Sequence, residues 1–203
     1  MKKLFRILSL IAVMSWGAQA QNGSFLWTYE MALPITNSTN NNPDQAYIET
    51  FSWRGMGMEW RSEYSLNMSY GFSTAWQVFY EARVDESFET ENGAIITGNQ
   101  YRYINTIPLV LTGQYKLTPG KIWESWIGGG IGTHWYKSRT QMGLFSAETN
   151  SWNFAIDPEI GVIYDTRGDT DIILAIRYNM LFPNKKFEQM QSYINFKVGF
   201  AFE

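Results

Sequence analysis

The sequence contains no cysteine, so neither a disulfide nor a thiolate-held metal can staple the fold. His134 is its single histidine, which excludes a multi-histidine metal centre. It has no run of lysines and arginines and a formal net charge of −3, so the basic footprint of a nucleic-acid-binding surface is missing. After the N-terminal region no apolar stretch reaches the roughly 20 residues that a transmembrane helix needs. What the chain does have is aromatics: 17% of its 203 residues, including 9 Trp and 12 Tyr. Both side chains combine an apolar body with a polar tip, a chemistry suited to the headgroup boundary of a bilayer.

The first twenty residues have the layout of an export signal. Lys2, Lys3 and Arg6 give a positive start, Leu4 to Trp16 is mostly apolar, and Ala18-Gln19-Ala20 is a small-x-small cleavage site. An apolar segment this short does not span a bilayer, and the three parts together define a cleaved secretory signal. The expected division is residues 1–20 as signal peptide and 21–203 as one mature domain beginning at Gln21. Removing Lys2, Lys3 and Arg6 from the 16 basic residues leaves 13 against 19 acidic ones.

Period-two alternation, the mark of β-strands, recurs through the mature chain. In Ser151–Asp165 one face reads Trp152, Phe154, Ile156, Pro158, Ile160, Val162 and Tyr164, the other Asn153, Ala155, Asp157, Glu159 and Gly161. Asp171–Pro183 and Ser192–Phe202 repeat the design. Eight segments can be placed: Phe25–Pro34, Glu49–Glu63, Ser69–Val84, Tyr101–Leu117, Ile122–Lys137, Ser151–Asp165, Asp171–Pro183 and Ser192–Phe202. Their connections alternate. Ile35–Ile48, Asp85–Gln100 and Ser138–Asn150 read as long loops, whereas the links near Tyr64–Met68, Thr118–Lys121 and Thr166–Thr170 are short. Long loops on one side and short turns on the other are the plan of outer-membrane barrels.

The direction of the faces separates a membrane barrel from a soluble one. A soluble lipocalin-like barrel would turn its apolar face inward. Here one face carries Glu30, Glu59, Arg61, Gln77, Glu81, Arg83, Glu124, Asp157, Glu159, Arg177 and Lys197, and the other Trp60, Phe72, Trp76, Val78, Leu109, Leu111, Ile131, Ile160 and Leu174. Lipid demands the apolar band outside, because a midplane charge costs about 2–4 kcal/mol there. One segment resists this register. With Met56, Met58 and Trp60 outward, Phe51 and Trp53 fall inward and Arg54 outward. Either a bulge at Gly55 or Gly57 flips the upstream parity, or Arg54 already lies above the bilayer.

On these residues the chain resembles the small bacterial outer-membrane β-barrel family represented by the OmpA transmembrane domain, OmpX and OmpW. The resemblance covers most of the mature chain. It rests on the signal peptide, on Tyr103–Leu109, Trp126–Gly132 and Asp157–Val162, and on the C-terminal Lys197-Val198-Gly199-Phe200-Ala201-Phe202. It implies an all-β, eight-stranded antiparallel up-and-down transmembrane barrel in the outer membrane. It also implies lipid as surroundings and the barrel assembly machinery as a partner, recognising the terminal strand.

No catalytic set stands out, and no cofactor or metal is expected. Gly128-Gly129-Gly130-Ile131-Gly132 lies within an alternating strand, not between a strand and a helix as a phosphate-cradling loop requires. His134 and Ser138 share a face, but four strand residues separate them by roughly 13 Å. Asp165–Asp171 lacks the ligand order of a calcium loop and reads as a turn. Glu30, Glu59, Arg61, Glu81, Arg83, Glu124, Asp157, Glu159, Arg177 and Lys197 are expected to form a structural polar network, because an eight-stranded lumen is just wide enough to be filled by side chains. Four readings remain open, the last a soluble periplasmic lipocalin-like barrel, which would need its apolar face inside and would fractionate without detergent. The first is a non-enzymatic barrel that stabilises the membrane or shows its long loops to a surface partner. The second, suggested by the resemblance to OmpW-type barrels, is a narrow conduit for small hydrophobic molecules, with an apolar pocket at the outer mouth from Trp135, Tyr136 and loop aromatics. The third is a lipid-modifying enzyme using His134.

Overall fold

The alternating segments become strands because each has one face fit for lipid-like surroundings and one fit for a polar interior. The computed structural model describes residues 23–37, 46–89, 93 and 95–202; the expected signal peptide, residues 1–20, lies outside them. The strands are β1 (Gly23–Thr36), β2 (Arg54–Ser65), β3 (Met68–Glu89), β4 (Ile95–Lys116), β5 (Trp123–Met142), β6 (Phe145–Tyr164), β7 (Thr170–Leu181) and β8 (Gln191–Phe202). They pair antiparallel in sequence order, and β8 closes on β1 from Phe25↔Phe202 to Leu33↔Ile194. Closure leaves the ring without an edge and satisfies the backbone internally, as an apolar surrounding requires.

The faces point as the charge pattern demands. Leu111 is 66% and Trp27 56% exposed, whereas Glu59 is 2% and Asp157 0% exposed. The barrel is therefore apolar outside and charged inside, the reverse of a soluble lipocalin-like barrel. Gly128-Gly129-Gly130-Ile131-Gly132 lies within β5. Prolines mark three of the gaps in the ladders, since proline has no N–H to donate. The β3–β4 pairing skips the residues opposite Pro108 and its neighbour, the β6–β7 pairing skips those around Pro158, and the β1–β8 register shifts just after Pro34.

The second segment starts later than its pattern suggests. No bulge occurs at Gly55 or Gly57: β2 pairs without a shift from Arg54↔Val78 to Glu63↔Ser69. Instead the chain leaves the ladder before Arg54, touching it only through the single bridge Ala32↔Ser52. Trp53 is thereby freed from strand parity and is 64% exposed, and Arg54 points outward at the strand's beginning.

Two of the expected long loops are largely strand, a correction to the sequence reading. β3 and β4 run 22 residues each and β5 and β6 run 20 each, against 12 for β2, β7 and β8. Asp85–Gln100 thus contributes paired backbone up to Glu89↔Ile95. Ser138–Asn150 is strand except for a two-residue turn whose Gly143 has φ 54°. Along Lys137–Gln141 and Ser146–Ser151 polar residues occupy both faces, so the period-two signal fades while the pairing continues. β3 to β6 rise past the other four strands as a protruding sheet, on the side opposite Gly23 and Phe202.

One glycine decides how the lower lumen packs. A Cβ on Gly161 would lie 2.3 Å from the Trp126 ring, so its hydrogen leaves the slot that the indole fills. Gly161→Val is expected to push Trp126 inward and destabilise the barrel by about 1–3 kcal/mol, the usual cost of overpacking. A urea titration of the detergent-folded protein checks this, and an unchanged midpoint would show that the slot is slack.

Candidate functional site

The interior is built in three layers. The middle layer is ionic. Glu59 of β2 and Glu159 of β6 face each other across the lumen and share three cations. Arg177 of β7 reaches Glu159 at 2.6 Å and Glu59 at 2.9 Å; Arg61 of β2 lies 2.7 Å from Glu59 and 3.3 Å from Glu159; Lys197 of β8 lies 2.9 Å from Glu159 and 3.4 Å from Glu59. Neutral donors complete the set: Gln114 donates to Glu59 at 2.8 Å, and Arg177 also donates to the Ser73 hydroxyl at 2.9 Å. Glu30 accepts from the Asn195 amide and, at 3.2 Å, from the Thr28 hydroxyl. Asp157 is bound to His134 Nε2 at 2.8 Å, and His134 Nδ1 lies 3.4 Å from the Tyr193 hydroxyl. The signs nearly balance, as they must where an unpaired buried charge is so costly.

Apolar layers close both sides. Towards Gly23 and Phe202, Leu26, Trp126, Ile173, Ala175 and Ala201 pack together, and the Arg61 guanidinium sits 4.6 Å from the Trp126 ring centroid. Towards the protruding sheet, Phe79, Ile104, Tyr136, Leu181 and Tyr193 from the wall meet Tyr47, Ile48 and Phe187 from the connections. Asn37 draws Ile48 in by imitating a strand partner: its amide donates to the Ile48 carbonyl at 2.7 Å and accepts from the Ile48 N–H at 2.8 Å. Arg102 donates to the Tyr47 carbonyl at 3.2 Å and lies 5.3 Å from the Tyr47 ring centroid. Phe187 stacks edge-on against Tyr136 at 5.0 Å.

Of the ten residues singled out in the sequence, the structure brings Glu30, Glu59, Arg61, Asp157, Glu159, Arg177 and Lys197 into or beside the middle layer. The other three lie apart. Glu81 and Arg83 pair at 2.5 Å at the sheet end of the lumen. Glu124 pairs with Lys116 at 2.9 Å at the turn end, where Lys116 also meets Glu63. Lys116, Glu63, Gln114 and Asn195 are partners that the sequence reading missed. The parity of Glu59 and Arg61 extends to Glu63 and could have found it, whereas Asn37, Tyr47 and Ile48 follow no period. Trp135 and Tyr136, expected together at the mouth, point to opposite faces: Tyr136 is buried in the lumen and Trp135 stands opposite Trp152 on the outer wall. Ser138 is not among the hydrogen-bond partners of His134.

Glu81 latches the chain entering β2. Its carboxylate accepts from the Glu49 N–H at 2.6 Å, the Thr50 N–H at 3.2 Å and the Thr50 hydroxyl at 3.1 Å. It stands above the level of Arg54, beyond the apolar outer band. Partial burial raises its pKa, but the Glu49 N–H, Arg83 and Thr50 outweigh burial and hold the carboxyl below its usual range. A depressed folded pKa stabilises above the ordinary carboxylate value, and that contribution is lost as pH falls through the folded value.

Two outcomes are expected. Arg177→Met strands Glu59 and Glu159 and is expected to cost about 3–5 kcal/mol, as breaking one side of a buried pair does. Chemical unfolding measures it, and a loss below about 1 kcal/mol would show that Arg61 and Lys197 suffice. Hydrogen exchange at the Glu49 and Thr50 amides, corrected for intrinsic rate, should stay protected from pH 7 down to about 4.3 and lose protection below it. Glu81→Ala should leave both amides unprotected at every pH; protection that persists in this variant would assign the latch elsewhere.

No protein-family model matches the chain, and no curated protein sequence matches it. Solved structures do. Neisserial surface protein A superposes with a TM-score of 0.51 at 9% identity, over 89% of this chain and 94% of that one. The attachment invasion locus protein Ail of Yersinia pestis gives 0.49 at 10%, over 89% and 97%. The outer membrane protease OmpT of Escherichia coli gives 0.46 at 6%, over 91% and 97%. At these identities the likeness concerns fold alone, and the first of them supports it: this chain has the fold of a small outer-membrane β-barrel, eight antiparallel strands in a ring.

Proposed function

We propose that this chain is a plugged, non-enzymatic outer-membrane barrel that displays its protruding sheet to a partner at the cell surface. The carrying observation is the lumen, filled in three layers while the outer wall is apolar. In this reading residues 1–20 are removed on export, and the aromatic-rich strand Gln191–Phe202 is what the assembly machinery recognises. The surface element is β3 to β6. Among the described residues β2 ends its pairing with β3 at Arg54↔Val78, and no strand pairs with β3 on that side along Tyr80, Ala82 and Val84. An extended segment of a partner could add to such an edge.

The rival readings are less well supported. A conduit for hydrophobic molecules needs an open apolar mouth, and Tyr47, Ile48 and Phe187 occupy that space. A lipid-modifying enzyme needs an accessible base. His134 is fully buried, with Asp157 on one ring nitrogen and Tyr193 near the other.

Fractionation tests the assignment. The protein is expected with the outer membrane, to shift on a gel when boiled, and to give no conductance steps in a planar bilayer. Recovery as a soluble periplasmic protein would overturn it, and steady conductance would favour the conduit.

A further inference from the structure

On the outer wall a groove of about 710 Å³ crosses from β8 over β1 and β2 to β3 and β4, walled mainly by Trp27, Met56, Trp76, Val78, Val198 and Phe200. Its lining is apolar except at one end, where Arg54 and Asn105 stand. Arg54 points outward and is exposed. Below it, β2 turns Met56, Met58 and Trp60 to the same side, and beside it Tyr80 holds its ring 5.6 Å from the guanidinium. A cation on a barrel's outer wall costs about 2–4 kcal/mol at the bilayer midplane and only about 0–1 kcal/mol near the interface. Arg54 therefore belongs at headgroup height, with the groove running in the apolar region next to it.

Arg54 differs from the other outward cations on the sheet side. Lys137 and Arg139 share Glu148, at 2.8 and 3.1 Å. Arg54 has no carboxylate partner among the described residues, and the groove itself contains no acid. Asn105 accepts from Trp76 Nε1 at 3.4 Å, which leaves its amide N–H groups as further donors on the same rim. Arg54 and Asn105 stand level across Val78, and a planar guanidinium with an amide donor facing it across the groove matches a phosphate, which the guanidinium can bind through paired hydrogen bonds. The apolar groove matches a hydrocarbon chain, and the medium that this face meets is lipid.

We propose that this groove binds one phosphate-bearing membrane lipid, an acyl chain lying along Trp27, Met56 and Val198 and the phosphate held by Arg54 and Asn105. The site rests on the outer-membrane reading above. It goes beyond that reading by distinguishing one sector of the wall, from β8 to β4, as a selective lipid contact.

The test uses the full mature chain folded in a neutral detergent, titrated with dimyristoyl phosphatidic acid and with dimyristoylglycerol, which has the same chains and no phosphate. Native mass spectrometry reads the bound lipid. Phosphatidic acid should bind at least about tenfold more tightly, the scale of a charge-assisted hydrogen-bonded pair. Arg54→Gln should bring the two lipids to equal affinity, and Val78→Trp, which fills the groove, should weaken both. Both variants should keep the gel shift on boiling. Equal affinities in the unaltered protein, or a preference that survives Arg54→Gln, would overturn the proposal. Inorganic phosphate competing as well as the lipid would overturn it too, by showing an anion site without a groove. Loss of the gel shift in the unaltered protein would instead count against the membrane reading itself.

Discussion

Glu59 and Glu159 hold the middle of this molecule because Arg177, Arg61 and Lys197 reach both of them. The five side chains come from β2, β6, β7 and β8, so the ion network ties opposite walls of the ring together where no backbone ladder can. Closing an eight-stranded sheet leaves an interior only as wide as its side chains. An outer wall of Trp, Phe, Leu and Ile assigns the charges on the strands to that interior. Once enclosed, they must neutralise one another or remain at high cost. The apolar layers at either end depend on this arrangement: Trp126 packs under Arg61, and the His134–Asp157 pair lies beneath the aromatic cap around Tyr193.

The asymmetry of the strands follows from a different constraint. A tilted strand crosses a bilayer core in roughly 9–11 residues, which the 12 residues of β2, β7 and β8 provide. β3 to β6 are nearly twice as long, and the excess projects on one side only. Where those strands leave the shared ring, Tyr47 and Ile48 before β2 and Phe187 after β7 turn inward and pack across the mouth. Asn37, Arg102 and Glu81 fix that bend by hydrogen-bonding to backbone groups of Ile48, Tyr47, Glu49 and Thr50. The lumen is thus closed by the very segments that stop short of the protruding sheet.

Much of the architecture was legible in the chain itself. Alternation at Trp152–Tyr164, Ile172–Phe182 and Ile194–Phe202 is long and unbroken, and a one-residue slip would exchange the two faces entirely. Strand existence, facing and number were therefore readable. The stretches around 85–100 and 138–150 read as loops in the sequence because the outer face there no longer needs to be apolar. Pairing along β3–β4 and β5–β6 supplies the order that patterning had supplied lower down.

The sequence by itself determined the eight strands, the apolar exterior and the set of charges that must lie inside, because each follows from period-two patterning and the cost of charge in lipid. Only the tertiary structure decided which charges meet. Glu59 and Glu159, one hundred residues apart in the chain, share three partners, Glu81 and Glu124 serve opposite rims, and Tyr47 and Ile48 fill a mouth that no periodicity assigns to them. Parity fixes the face of a residue; its height in the lumen and the direction across it depend on strand tilt, register and closure, which exist only when the ring is complete.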